Sequence, residues 1–466
     1  MRGNRSGDRD RRGRPGGRGG PGRPSGRPDR RGGPGRPPRP EGERYRERPA
    51  FQERRESPAA PERRSYEPAA PPPGARLAAV DEAEARIEKL VAGGEGLARI
   101  EGVPVFVPRS APGDLLKVRL VERHPDYGRA EIVEILEPGP GRRPDPYPEL
   151  SRTGICDLQH LEDDLQTRLK AEAVRETLER IGGIGLPQNT EILKGAPWGY
   201  RLRTQLHTEV DPATGGVRVG YYARGTNDVV PLGRCPLLVP ELEAVLADLP
   251  AHLGDDPPRR IDLAAGDGDV AVAPVIPGLP HGEVSLTVGS LTYSYDARSF
   301  FQGHRGLLPR LVGVVVGSWT GEAAYDLYAG VGLFSLPLAR LYSHVVAVES
   351  DSGSARYARL NARRNHLSNV EVVAQAVETW LPELPAGVDR VLVDPPRAGL
   401  SPRVRRLLVE RLPRRLTYVS CHPAALARDL RLLGAHYAIE KISLIDLFPQ
   451  TGHMETVVQL ALLPPV

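Results

Sequence analysis

The last third of the chain alternates short apolar runs with helical segments, and few folds accept that alternation. Strand candidates fall at Ala324–Tyr328, His344–Glu349, Val370–Val373, Arg390–Asp394 and Leu416–Ser420, with helical patterns between most of them. Strands separated by crossover helices form a parallel sheet. Two further runs, Tyr437–Ile445 and Glu455–Leu463, are joined by a loop with no room for a helix. They predict an antiparallel hairpin at one sheet edge. The segment 296–466 therefore reads as an α/β domain on a seven-stranded sheet.

Upstream the pattern changes. Over 83–138, glycine or proline clusters interrupt short alternating strands: Val103, Val105 and Val107 flank Pro104 and Phe106, and Leu116, Val118 and Leu120 alternate with polar neighbours. Regular turn signals of this kind predict a small β-barrel, OB-like in character. A helix follows, with Leu161, Leu165, Leu169, Val174, Leu178 and Ile181 at helical spacing and Gly182-Gly183 as its stop. The rest of 139–295 reads as mixed α+β without an assignable topology.

Residues 1–80 are almost entirely Arg, Gly, Pro, Glu and Ser and offer no apolar face, so they read as a disordered tail. Charge is divided unevenly between tail and body. Residues 1–76 contain 21 Arg, no Lys and 10 acidic residues, a net of +11, which leaves −7 for the remainder of a chain whose total is +4. An Arg/Gly arm of this kind suits RNA phosphates, or serves as a solvated tail. No run of about 18 apolar residues is present, so no membrane span is expected. Three cysteines, Cys156, Cys235 and Cys421, form no CxxC pair and suit a reducing cytoplasm.

The chemistry lies at strand ends. DLYAGVGLF starts at Asp326, after one strand and before a helix, and its Gly330 and Gly332 would let backbone approach a ligand. The second strand ends at Glu349, 17 positions beyond Gly332, where an acid can hold both ribose hydroxyls of a nucleoside cofactor. The loop is shorter than GxGxxG, and no GxxxxGK[ST] loop is present for a triphosphate. S-adenosylmethionine (SAM) therefore fits better than NAD or ATP. Two later strand ends carry Asp394-Pro395-Pro396-Arg397 and Cys421. A cysteine there is ordinarily a small buried hydrophobe. At the start of a following helix, however, the dipole would favour its thiolate.

Taken in order, FFQ at Phe300–Gln302, DLYAGVG, the Glu349 strand end, DPPR, SCHPAALARDL and DLFPQTGHME resemble the bacterial RNA uracil-5-methyltransferase family, whose members act on 23S rRNA or tRNA. The resemblance runs from Ala83 to the C-terminus. It implies a Rossmann-like SAM methyltransferase domain behind a TRAM-type barrel. It also implies SAM contacts at Gln302, Tyr328, Glu349 and Asp394, a nucleophile at Cys421 and a base at Glu455. Carbon 5 of uracil is too weak a nucleophile to take a methyl group unaided. A thiolate adding at carbon 6 would drive electrons to carbon 5, and a base would later remove the carbon-5 proton.

The chain departs from that family at several points. Many relatives hold an iron–sulfur cluster through Cys-x5-Cys-x2-Cys and a distant cysteine. Here Tyr147 and Thr153 stand at the first two positions, and only Cys156 and Cys235 match. Two thiolates are too few, so no cluster is expected, no metal site is expected, and both cysteines read as packed thiols. Leu333, His304 and His422 stand where asparagine is common. The expected partner is RNA, with rRNA favoured and tRNA possible, and the expected state is a cytoplasmic monomer. Two rivals remain: a non-catalytic RNA-binding protein, and an amino-group methyltransferase that needs no cysteine.

Overall fold

The computed structural model describes residues 77–464 except 79, 188, 189 and 212, so nearly all of the tail read over 1–80 lies outside the described residues. The first six strands are β1 (Glu82–Arg86), β2 (Lys89–Leu90), β3 (Gly96–Ile100), β4 (Val103–Val107), β5 (Leu115–Arg123) and β6 (Gly128–Glu137). They form one sheet in the order β1-β5-β6-β4-β3-β2. The two predicted alternations close on a single core: Val103, Val105, Val107, Leu116, Val118 and Leu120 are buried with Ile87 and Ile100. Successive strand residues face opposite ways, so Phe106 is left on the outside.

Helix α1 (Asp163–Thr177) opens with Asp163 and Asp164, which favour its amino end. It runs into a wider turn over Leu178–Gly182 and ends at Gly183 with φ 67°. Leu165 and Leu169 pack with Leu90 and Leu158 beside the barrel, while Val174 and Leu178 belong to a core shared with the C-terminal sheet. One helix thus links two cores. Its Lys170 is 2 % exposed and donates to Asp446 Oδ1 at 2.6 Å, and Thr167 donates to Asp446 Oδ2 at 3.0 Å. Removing one partner of a buried ion pair costs about 3–5 kcal/mol, because the other charge is left uncompensated. Lys170→Met is expected to lower the urea-unfolding free energy by that order. A loss below about 1 kcal/mol would mean that water replaces the lysine.

The central region, where the sequence assigned no topology, is an antiparallel sheet. After β7 (Glu191–Lys194) come β8 (Arg203–Val210), β9 (Val217–Tyr222), β10 (Val229–Pro231), helix α2 (Pro240–Asp248), β11 (Arg260–Ala265) and β12 (Val270–Ala273). Their order is β10-β9-β8-β11-β12. The hairpin β13 (Glu283–Val288) and β14 (Leu291–Asp296) leads into the last domain.

That domain contains α3 (Leu308–Val316), β15 (Gly321–Leu327), α4 (Ser335–Leu338), β16 (Tyr342–Glu349), α5 (Ser352–Arg364), β17 (Val370–Ala374), α6 (Val377–Trp380), β18 (Arg390–Val393), α7 (Pro402–Arg411), β19 (Arg415–Ser420), α8 (Pro423–Leu433), β20 (Tyr437–Asp446) and β21 (Glu455–Leu462). The sheet order is β17-β16-β15-β18-β19-β21-β20-β7, with β21 antiparallel to both neighbours. All seven predicted strands are present. The sheet nevertheless has eight, because β7 from the central region pairs parallel with β20, from Ser443↔Glu191 to Asp446↔Lys194. The hairpin is therefore not the edge. Four residues (EILK) with one buried side chain carry no local sign of joining a sheet so distant in sequence. Among the described residues no helix is long and apolar enough to cross a membrane.

Candidate active site

Strand β15 ends in a sharp turn at its carboxyl end. Tyr328 has φ 65°, and Ala329 N–H donates to Val348 O at 3.0 Å. The N–H of Gly330 donates to Glu349 Oε2 at 2.8 Å. A side-chain carbon on Gly330 would meet nothing nearer than Phe300 O at 4.0 Å, so here the backbone is open to the crevice. Gly332 acts differently from the sequence reading. Its φ is 91°, a Cβ would lie 2.9 Å from Leu336 Cδ1, and it does not line the crevice. It is small so that the turn can pack on the following helix, not so that a ligand can approach.

A cavity of about 590 Å³ lies over these strand ends. Gln302, Tyr328 and Gly330 line it together with Glu349, Asp394, Cys421 and Glu455. Seven of the eight candidate residues, supplied by six separate segments, therefore meet in one place. Gln302 Nε2 donates to Asp394 Oδ2 at 3.3 Å. Glu349 also accepts from Asp351 N–H at 2.7 Å, which holds the strand end while leaving carboxylate lone pairs for another donor. Beneath the cavity Asp326 is fully buried; its Oδ2 accepts from Ser335 Oγ, and its Oδ1 has no partner.

The crevice is strongly acidic, and its groups oppose one another's ionisation. Burial, with Asp326 nearby, pushes Asp394 up to about 7. Burial likewise pushes Asp326 up to about 7, with Glu349 adding to the effect. Glu455, 3 % exposed, is held well above the ordinary carboxylate range by burial and by Asp394. Burial first, then Glu455 and Asp394, push the Cys421 thiol up to about 11, against a downward pull from Arg397. The expected help from the helix start does not prevail here. Cys421 does precede α8, but His422 caps that helix by accepting Ala425 N–H at 3.2 Å. The charge that opposes this rise is the Arg397 guanidinium.

Sequence reasoning missed Phe300, Phe448, Arg298 and Arg397 as cavity walls. Phe300 is 60 % exposed, with the Arg203 guanidinium 5.8 Å from its ring centroid. The signal available was its place in FFQ, beside Gln302; the next residue, Phe301, is buried and stacked on Tyr295. His304 lies away from the cavity, buried and stacked on Tyr200 with centroids 4.6 Å apart. Cys156 and Cys235 are both buried, and Cys235 accepts from the Tyr221 hydroxyl at 3.6 Å. Tyr147 packs edge-on against Trp198, and Thr153 Oγ1 donates to Leu150 O at 2.7 Å. Packing and a hydrogen bond thus account for Tyr147 and Thr153. Among the described residues no three His, Cys, Asp or Glu side chains group as metal ligands.

The geometry defines a class I SAM-dependent methyltransferase, and comparison with known proteins narrows the class. The family described as tRNA (Uracil-5-)-methyltransferase matches residues 284–383 and 386–462, and the TRAM domain matches 79–133. The 23S rRNA (uracil(1939)-C(5))-methyltransferase RlmD of Pectobacterium atrosepticum is 33% identical over 408 residues, covering 78% of this chain and 90% of that protein. The RlmD of Klebsiella pneumoniae is 32% identical over 417 residues, covering 78% and 92%. The structure of the Pyrococcus abyssi tRNA (uracil-54, C5)-methyltransferase with S-adenosyl-L-homocysteine aligns with a TM-score of 0.64 at 26% identity, covering 81% of this chain and all of that one. The chain belongs to the SAM-dependent RNA uracil-5-methyltransferase family.

The cavity fits that cofactor. Aromatic walls from Phe300, Tyr328 and Phe334 suit an adenine, Glu349 suits ribose hydroxyls, and the acidic floor suits a sulfonium. A cation bound beside Asp394, Asp326 and Glu455 favours their ionised forms. Lining the same cavity are Glu349, Gln302, Cys421 and the cations Arg298 and Arg397. SAM affinity is therefore expected to rise from pH 6 to pH 8, by roughly tenfold for each unit by which binding lowers one of these pKa values. The neutral product S-adenosyl-L-homocysteine is expected to show a flatter profile. Equal slopes in calorimetric titrations would refute this.

Proposed function

We propose that the protein methylates carbon 5 of a uridine in structured RNA, with 23S rRNA the favoured substrate and Cys421 acting covalently. The observation that carries this reading is the meeting of Cys421 and Glu455, from two adjacent antiparallel strands, with the glycine turn and Glu349 in one cavity. A cofactor pocket alone would need neither the thiol nor the buried carboxylate. Two relatives that align over 78% of this chain are named for 23S rRNA, which favours ribosomal RNA over tRNA as the target.

In this mechanism Cys421 Sγ bonds to carbon 6 of the target uracil, and the ring electrons concentrate on carbon 5. SAM, when bound, supplies the electrophilic methyl group. Glu455 takes the proton left on carbon 5, and the S–C6 bond breaks as the ring double bond re-forms. Asp394 and Gln302, hydrogen-bonded to each other, orient the cofactor, and Tyr328 and Glu349 hold its nucleoside. The target base leaves its stack to reach this depth. We take 83–138 as the TRAM-like barrel, 139–295 as the RNA-reading region and 296–466 as the methyltransferase domain, acting as a cytoplasmic monomer.

The test uses SAM labelled on its methyl group with RNA lacking 5-methyluridine, followed by digestion to nucleosides. Label in 5-methyluridine from the 23S fraction is the expected result. Label in tRNA moves the target, and label in an adenine or guanine product rejects the reading.

A further inference from the structure

A second cavity of about 300 Å³ adjoins the first, and the two share Cys421 and Arg397. Three parts of the fold build it. The barrel contributes Phe106 and the turn at Gly93, helix α1 contributes Thr177 and leads to Arg180, and the loops around the nucleophile contribute His422 and His453. The catalytic chemistry uses none of the barrel or α1 residues.

We infer that this cavity receives an unstacked nucleotide next to the target uridine in the RNA strand, and this inference rests on the function proposed above. Its chemistry suits a base with a phosphate. Phe106 offers an aromatic face; Tyr127 meets it edge-on with centroids 5.7 Å apart, and His124 stacks on Tyr127 at 4.3 Å. The Arg129 guanidinium lies 6.0 Å from the Phe106 ring centroid. Rings and guanidinium planes placed in series are a stacking platform for single-stranded nucleotides. Arg180 and Arg397 stand at the same cavity, and among the described residues neither has a carboxylate within ion-pairing distance. The Glu176 carboxylate beside them is taken by Lys89. Two unneutralised guanidinium groups flanking an aromatic wall fit a phosphate and its base.

The position of Cys421 adds the geometric reason. A uracil bonded to Cys421 sits where the two cavities meet, so the second cavity lies within reach of the nucleotide next to it in the strand. A base held there cannot restack on the target, and the flipped-out state is favoured over the stacked one. The barrel would thus contribute to the reaction through the neighbouring nucleotide and not through the target itself.

The experiment traps the complex with transcripts of 23S rRNA and of a tRNA pool in which 5-fluorouridine replaces uridine. With fluorine at carbon 5, the S–C6 bond forms and carbon 5 takes the methyl group. No proton then remains for Glu455 to remove, so the bond persists. The native adduct is digested to its limit with single-strand nucleases, and the mass of the protein gives the nucleotides still attached. Wild-type protein is expected to keep two or more. Phe106→Ala and Arg180→Ala are expected to keep one, with the RNA KM raised roughly tenfold for loss of one stacking contact. Their SAM affinity should be unchanged, and Phe106→Tyr should restore the longer fragment. A single nucleotide on the wild-type protein, or identical fragments on wild type and variants, overturns the inference. If no adduct forms and ordinary RNA also gains no labelled 5-methyluridine, the proposed function falls and this inference falls with it.

Discussion

Replacing Cys421 with alanine is expected to abolish methyl transfer, by at least about 10⁴-fold in kcat, while SAM still binds within about threefold. The sulfur is the sole thiol among the residues lining the crevice, and a thiolate is a far stronger nucleophile toward carbon 6 than the carboxylates, amide, phenol and serine hydroxyls beside it. The side chain makes no packing contribution comparable with a core residue, since it is only partly buried between two cavities. The expected loss is therefore chemical and not structural. The check is single-turnover transfer from labelled SAM, alongside calorimetry for cofactor binding. Residual transfer within tenfold of wild type would exclude covalent catalysis and favour an amino-group target.

Glu455→Gln is expected to lower the rate by about 10²–10⁴-fold, the usual contribution of a positioned base. It should also change what accumulates. The amide can fill the same space but cannot take the carbon-5 proton, so methylated RNA stays bonded to Cys421 and runs with the protein on denaturing gels. In the wild type both groups need to be ionised to act; burial and the Asp394 carboxylate hold both pKa values high, and Glu455 adds to the rise at Cys421. For groups shifted upward the active, deprotonated forms increase with pH, so kcat/KM for RNA should climb through the neutral range. A slow variant without the covalent species would mean that Glu455 acts before the sulfur–carbon bond forms.

The sequence made the catalytic sheet legible because a buried parallel strand is a short apolar run with few alternatives. All seven runs became strands within a few residues of their expected ends. Gly330, Glu349, Asp394 and Cys421 were legible because strand carboxyl ends in such a sheet converge, whereas Gln302, Tyr328 and Glu455 were legible only through the family resemblance, since Gln302 precedes the sheet and Glu455 opens an antiparallel strand. Gly332 stands outside the cavity lining, because one spacing serves two purposes: an open backbone at the first glycine and close helix packing at the second. The central sheet was not legible, because polar alternation interrupted by proline fits many antiparallel arrangements. The thiol's raised pKa could not be read either. It depends on how far Glu455 and Asp394, 61 positions apart in sequence, stand from Cys421 in space.

The eighth strand has a practical consequence for anyone dividing this molecule. A fragment cut at residue 296 would lose β7 and leave β20 with an unpaired row of backbone donors and acceptors, a template for aggregation. It would also lose Lys170 and Gln166, whose side chains anchor Asp446 and Gln450 at the base of the loop leading to Glu455. The sheet that carries Cys421 and Glu455 is therefore discontinuous in sequence, and a chimera that exchanges residues 139–295 for another segment has to retain α1 and β7.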